Sequence, residues 1–233
     1  MIIALLACAL AQGTDEKIKS EDGVAIAVTY YGPAKPKKEM PAAILVPMYL
    51  SRRGAWKAFA EQAAKDGVAC LAIDPRGHGD SENPTERKVE EWTQEWLGVL
   101  KDIAAAKASL KSKGFEEKRI VLVGASIGAS LSLEYAVKDE KLAGLGLLSV
   151  STNLTGETPE ADVGRYAKRP LFIAYSRNDA DYADTSARMV RASGAKHVRA
   201  YAKAGHGTEM FGREDKAGDL TTALVAWIRE VAK

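Results

Sequence analysis

The 233-residue chain is expected to adopt an α/β fold: a doubly wound, mostly parallel sheet with helices on both faces and no large cap domain. Three observations carry this expectation. Short, nearly continuous apolar runs recur along the chain, helical stripes lie between them, and no internal repeat or low-complexity linker interrupts the alternation. Continuous rather than alternating hydrophobicity indicates strands buried on both faces, which is the condition of a parallel sheet covered by helices.

The first segment, Met1 to Ala11, contains no charged side chain, and Ala9-Leu10-Ala11 before Gln12 satisfies the small-residue preference of signal peptidase. It is read as a signal peptide, with residues 12–233 as one domain exported to the periplasm or secreted. A cytoplasmic chain is the alternative, because the segment is short and lacks Lys or Arg. The run Leu5-Leu6-Ala7-Cys8 resembles a bacterial lipobox, in which Cys8 would carry a lipid anchor, although Leu6 fits that pattern poorly. A transmembrane helix is not expected, since so short an apolar stretch covers only part of the ~20 residues needed to span hydrocarbon. With Cys8 removed or lipidated, Cys70 has no partner for a disulfide, and its place in the apolar run Val68 to Ile73 predicts an inert, packed thiol.

The elements follow in order. Val24 to Tyr31 is rich in β-branched and aromatic residues and ends at Gly32-Pro33, as an early strand of a hairpin would. The apolar runs Ala42 to Val46, Val68 to Ile73, Ile120 to Val123, Leu145 to Val150, Leu171 to Tyr175 and His197 to Tyr201 supply the remaining strands. Helical stripes are expected over Trp56 to Lys65, Ile127 to Val137 and Leu220 to Val231. The clearest spans Val89 to Leu110, where Trp92, Trp96, Val99, Ile103, Ala106 and Leu110 recur every three or four residues before Gly114. The longest stretch without periodicity, Ser151 to Lys168, is too short for an inserted lid. Functional residues are therefore expected on loops at the carboxyl ends of the strands.

Composition excludes little else. The net charge of +2 is spread along the chain, and the densest basic run, Lys35 to Lys38, is a solvated proline-containing loop, so nucleic acid is not an expected partner. No metal-ligand spacing and no phosphate-binding loop occur, and no cofactor is implied.

The chemistry gathers around Gly124-Ala125-Ser126-Ile127-Gly128. The apolar run before it and the helical stripe after it give the strand, turn and helix that expose a nucleophilic serine, with the helix amino terminus favouring negative charge nearby. The alternative is that Ser126 merely caps the helix. A serine nucleophile needs a base, and the chain has three histidines. His206, between Gly205 and Gly207 after the last strand, is the candidate. His197 opens that strand and is expected to pack, while His78 precedes the serine, the wrong order for this architecture. The orienting carboxylate should fall between serine and histidine after the strand Leu171 to Tyr175. Asp179 is the candidate there, with Asp181 and Asp184 as rivals that could instead begin a helix.

Together these residues resemble the α/β-hydrolase superfamily, with Gly124 to Gly128 similar to its nucleophile elbow, Asp74 to Ser81 to the loop after its second parallel strand, and Ala204 to Thr208 to its histidine loop. The short unlidded chain is most similar to dienelactone-hydrolase-like and small bacterial carboxylesterase members. The resemblance implies a serine hydrolase acting on a small-molecule carboxylic ester or thioester, with Ser126, Asp179 and His206 as a catalytic triad. Pro47-Met48 departs from the usual His-Gly of the loop after the first parallel strand. By position, the oxyanion-hole amides are expected from Tyr49 and Ile127. Met48 and Tyr49 are also candidates for the substrate pocket, with core packing as the alternative for Met48.

Three further readings stay open at this point. Arg52 and Arg53 could attract a carboxylate-bearing substrate, or be surface arginines. A serine peptidase or acyltransferase could use the same triad, with Glu157, Glu160 or Asp162 holding a substrate ammonium, unless these are a solvated acidic loop. A non-catalytic exported binding protein on the same scaffold is the remaining class.

Overall fold

A computed structural model describes residues 12–150, 159–166, 168–212 and 217–233. The proposed signal segment, Cys8 and Glu157 lie outside the described residues, as does the side chain of Asp181. Eight strands form one sheet: β1 (Thr14–Lys19), β2 (Ala25–Tyr31), β3 (Ala42–Val46), β4 (Ala69–Ile73), β5 (Ile120–Ala125), β6 (Gly144–Leu148), β7 (Leu171–Ser176) and β8 (His197–Tyr201). Their spatial order is β1-β2-β4-β3-β5-β6-β7-β8. The pairs β1–β2 and β2–β4 are antiparallel, and every pair from β4–β3 to β8 is parallel.

Helices α1 (Lys57–Lys65), α2 (Val99–Ser112), α3 (Ile127–Lys138), α4 (Pro159–Tyr166), α5 (Ala180–Ser193) and α6 (Ala217–Val231) cover the sheet. The strand period sorts side chains to two cores. Ile44, Leu122 and Ile173 face α2, α3 and α4 on one side, and Leu45, Val123 and Phe172 face α1 and α6 on the other. Both faces are apolar because both are covered, so the parallel strands carry unbroken hydrophobic runs. The residues between β6 and β7 contribute α4, which packs between α3 and α5, and no large cap domain. Among the described residues no helix is long and apolar enough to cross a membrane.

Three readings are revised. The stripe from Val89 to Leu110 is not one helix. Residues Val89–Glu91 and Gln94–Gly98 form 3₁₀ turns, and the α-helix begins only at Val99. Between them Trp92 leaves helical geometry at φ −70°, ψ 142°. Tertiary packing explains the break: Trp92 and Trp96 pack edge to face with centroids 5.4 Å apart, and both rings meet the buried His78. All six residues of the stripe are buried nonetheless. The second is β1, which the sequence reading did not include: its charged Asp15, Glu16, Lys17 and Lys19 give no apolar run. It is an edge strand that pairs with β2 from Thr14 opposite Tyr30 to Lys19 opposite Ala25.

The loop after β4 is fixed by ions. Arg76, buried, donates to the fully buried Asp102 on α2 from its Nη2 at 2.8 Å and from its backbone N–H at 2.9 Å, and to Asp22 at 2.9 and 3.0 Å. The Arg76 guanidinium holds the Asp22 carboxyl well below the usual carboxylate range. Burial pushes the Asp102 carboxyl up despite the same guanidinium. Arg53 does the equivalent on the other side of this loop. It pairs with Asp74 and, at 2.7 Å, with Asp80. The expectation that Arg53 is a surface or substrate-seeking arginine is therefore corrected: its fork is spent on the 74–80 loop, while Arg52 is exposed.

Candidate active site

Strand β5 runs straight into α3 through Ser126, which stands at φ 54°, ψ −121°. A side chain held at positive φ is strained, and the surroundings impose it. On one side, the Ser126 N–H donates to the Leu148 carbonyl at the end of β6 at 2.8 Å. On the other, α3 comes so close to β5 and β3 that a Cβ on Gly124 would overlap the Gly128 carbonyl, and one on Gly128 would overlap the Pro47 carbonyl. Only glycine permits that approach. Gly128→Ala is expected to lower stability by about 3 kcal/mol through overpacking against backbone that cannot retreat, or about 10 °C in melting temperature. A thermal melt checks it.

The close approach leaves Ile127 at the first helical position, where its amide has no intrahelical acceptor and adds to the positive end of the helix dipole. Facing it, the loop after β3 turns through Met48, whose carbonyl accepts the Ser51 N–H at 3.1 Å. Tyr49 and Leu50 project from this turn and are the large hydrophobic side chains that remain exposed among the described residues. Tyr49 leans on Trp96 with centroids 5.9 Å apart. Met48 packs against the core, the alternative the sequence left open, and its sulfur stands against Gly207 beside the histidine.

His206 lies between Gly205 at φ 88° and Gly207 at φ 51°. These left-handed residues fold the loop back across the strand ends. A Cβ on Gly207 would sit 3.3 Å from the Cβ of Ala125, so the histidine loop lies against the residue preceding Ser126. The His206 Nδ1 meets Asp179 Oδ2 at 2.8 Å, with both side chains largely buried. Because a carboxylate only accepts, Nδ1 is the donor in this pair. The structure thus brings Asp179 and His206 together and places their loop beside Ser126.

The rivals go elsewhere. Asp184 is exposed and pairs with Arg188 at 2.8 Å within α5. His78 is buried with Nδ1 on the Arg76 carbonyl at 3.0 Å, and His197 packs near Trp227. Cys70 is fully buried, and burial pushes its thiol up, consistent with packing alone. Among the described residues no group of three His, Cys, Asp or Glu side chains could hold a metal ion.

Sequence reasoning missed three neighbours of the histidine. Tyr182 on α5 lays its ring on the His206 imidazole at 4.2 Å between centroids. Ser149 and Ser176, at the ends of β6 and β7, accept hydrogen bonds from the histidine loop. Only their places at strand ends could have signalled them.

Solved structures share the fold over nearly the whole chain. An α/β hydrolase from Penicillium superposes with a TM-score of 0.74 at 15% identity, covering 95% of this chain and 99% of that one. An esterase from Pyrococcus furiosus gives 0.73 at 15% identity over 97% and 94%. A Klebsiella pneumoniae protein assigned as a dienelactone hydrolase gives 0.74 at 18% identity over 93% and 98%. A comparison with curated proteins finds no match. A family model described as serine aminopeptidase, S33 (Hydrolase_4) matches residues 41–169, more than half of the chain, from the start of β3 to just before β7. That segment includes Ser126 and stops short of Asp179 and His206. Sheet order, strained serine and family match agree, and the chain belongs to the serine aminopeptidase S33 (Hydrolase_4) family of α/β hydrolases.

Proposed function

We propose that this hydrolase cleaves a carboxylic ester or thioester through Ser126, His206 and Asp179 and an acyl-enzyme intermediate. The observation that carries the reading is the His206–Asp179 hydrogen bond of 2.8 Å on a loop packed against the strained Ser126 turn. In the first half-reaction His206 Nε2 takes the Ser126 hydroxyl proton as Oγ attacks the substrate carbonyl carbon. The Ile127 and Tyr49 amides receive the negative charge on the carbonyl oxygen. Collapse breaks the bond to the leaving alcohol or thiol, which takes the proton from Nε2. In the second half-reaction water attacks the acyl carbon by the same route, and the acid departs as Ser126 regains its proton. Met48 and Tyr49 line the approach to the carbonyl.

An aminopeptidase activity is the second reading, favoured by the description of the family. Two of the acids that could hold a substrate ammonium are already engaged. Glu160 pairs with Arg188, and Asp162 with Arg165 at 2.5 Å. A fluorophosphonate probe tests the common chemistry, since only an activated serine reacts quickly. Labelling confined to Ser126, with p-nitrophenyl acetate turned over much faster than an aminoacyl p-nitroanilide, is the expected result. Faster anilide cleavage would favour the peptidase, and an unlabelled Ser126 would leave a non-catalytic scaffold.

A further inference from the structure

Two buried hydroxyls hold the segment that carries His206. Ser149 Oγ accepts the Gly207 N–H at 3.0 Å. Ser176 Oγ accepts the Ala204 N–H at 2.8 Å and donates to Asn178 Oδ1 at 2.5 Å. Both serines are fully buried. Their places in the chain give the two bonds different reach. Ser149 follows Leu148, whose carbonyl accepts the Ser126 N–H, so one corner at the end of β6 grips the turn of the serine and the loop of the histidine. Ser176 lies three residues before Asp179 and accepts the Asp179 N–H on its carbonyl at 3.1 Å, so it ties the histidine loop to the acid.

The backbone at Ser149 stands at φ 47°, a conformation glycine adopts freely and side chains avoid. The Ser149 hydroxyl is thus carried by a strained residue, and it ends on the amide adjoining the histidine. Strain of this kind persists where the surroundings over-determine it.

We propose that Ser149 is a positioning residue: its hydroxyl fixes the His206 loop against the Ser126 turn and so sets the imidazole at the distance proton transfer requires. This rests on the reading of His206 as the base for Ser126. Ser149 touches neither substrate nor reacting atoms; it acts through Gly207. Proton transfer and attack both depend steeply on distance, so a loop free to drift by an ångström loses rate without losing substrate affinity.

The test is Ser149→Gly in the full chain. Glycine accepts φ 47°, and relief of that strain offsets part of the cost of the unpaired Gly207 amide, so the melting temperature is expected to stay within a few degrees of the parent. With p-nitrophenyl acetate, kcat is expected to fall about 10- to 100-fold with KM within about threefold. The Gly207 amide should exchange with deuterium about tenfold faster, and the His206 imidazole titration, followed by NMR, should shift its midpoint. Ser149→Ala, which keeps the strain and removes the hydroxyl, carries the same test if the glycine variant does not fold. A kcat within about twofold of the parent, or a rise in KM alone, overturns the proposal. If the parent turns over no ester, the ester reading fails and the imidazole titration decides: a shifted midpoint upholds the positioning role, and an unchanged one overturns it.

Discussion

Ser126→Ala is expected to lower p-nitrophenyl ester turnover by about 10⁵- to 10⁶-fold, with only a small change in KM. In the proposed mechanism the size follows from the loss of the covalent route itself. Without Oγ, the His206–Asp179 pair and the Ile127 amide still stand in place, and water must attack unaided by a bound nucleophile. The residue left after substitution also remains at φ 54°, since the Leu148 carbonyl and the packing of Gly124 against Gly128 impose that turn rather than the side chain. The variant should therefore melt within a few degrees of the parent. Steady-state turnover and a thermal melt on the same preparation check both statements. Combining Ser126→Ala with His206→Ala should add little further loss, because the two groups act as one unit.

Asp179→Asn is expected to reduce kcat about 10⁴-fold at neutral pH while leaving the geometry of the loop close to that of the parent. The carboxylate accepts a hydrogen bond from Nδ1 at 2.8 Å, and this is the tautomer the proposed mechanism needs to leave Nε2 free. An asparagine amide can turn its NH₂ toward Nδ1, which stabilises the other tautomer and puts the proton on Nε2, where no base is then available. The imidazolium that the proposed attack would form also loses its counter-charge. Asp184→Asn is the comparison, since that carboxylate is exposed and paired with Arg188 one helical turn along α5. Its kcat should stay within about twofold. A large loss at Asp184 and none at Asp179 would reverse the assignment of the acid.

The legible parts of this molecule were those dictated by local pattern and burial. The runs Ala42 to Val46 and Ile120 to Val123 became central parallel strands because apolar side chains on both faces leave no other environment for them. Ser126 was legible because a turn between such a strand and a helix places it at the sheet's carboxyl edge. Asp179 and His206 followed from chain order, and the structure brings them into hydrogen-bond contact. What escaped depended on partners distant in sequence. Arg53 looked like half of a surface pair until Asp74 and Asp80 folded around it. Residues Val89 to Gly98 carried a helical stripe, yet the indoles of Trp92 and Trp96 gained more from closing over His78 than from continuing a helix. Ser149 and Ser176 offered no more than their places at strand ends, since a buried hydroxyl is meaningful only once the amide it accepts from is known.

The two outermost strands bear on how copies of the chain behave at high concentration. An open sheet ends in rows of unpaired backbone groups, which invite another chain to continue the ladder. Here β1 presents Asp15, Glu16, Lys17 and Lys19 along one border, with Glu16 clasped by Lys113 at 2.8 Å. The other border, β8, carries His197 and Arg199. A second molecule approaching the acidic and basic side chains of β1, or Arg199 on β8, must strip water from charge before it gains a single backbone bond. Charge along these two borders of the described sheet therefore raises the cost of continuing the ladder from one molecule to the next.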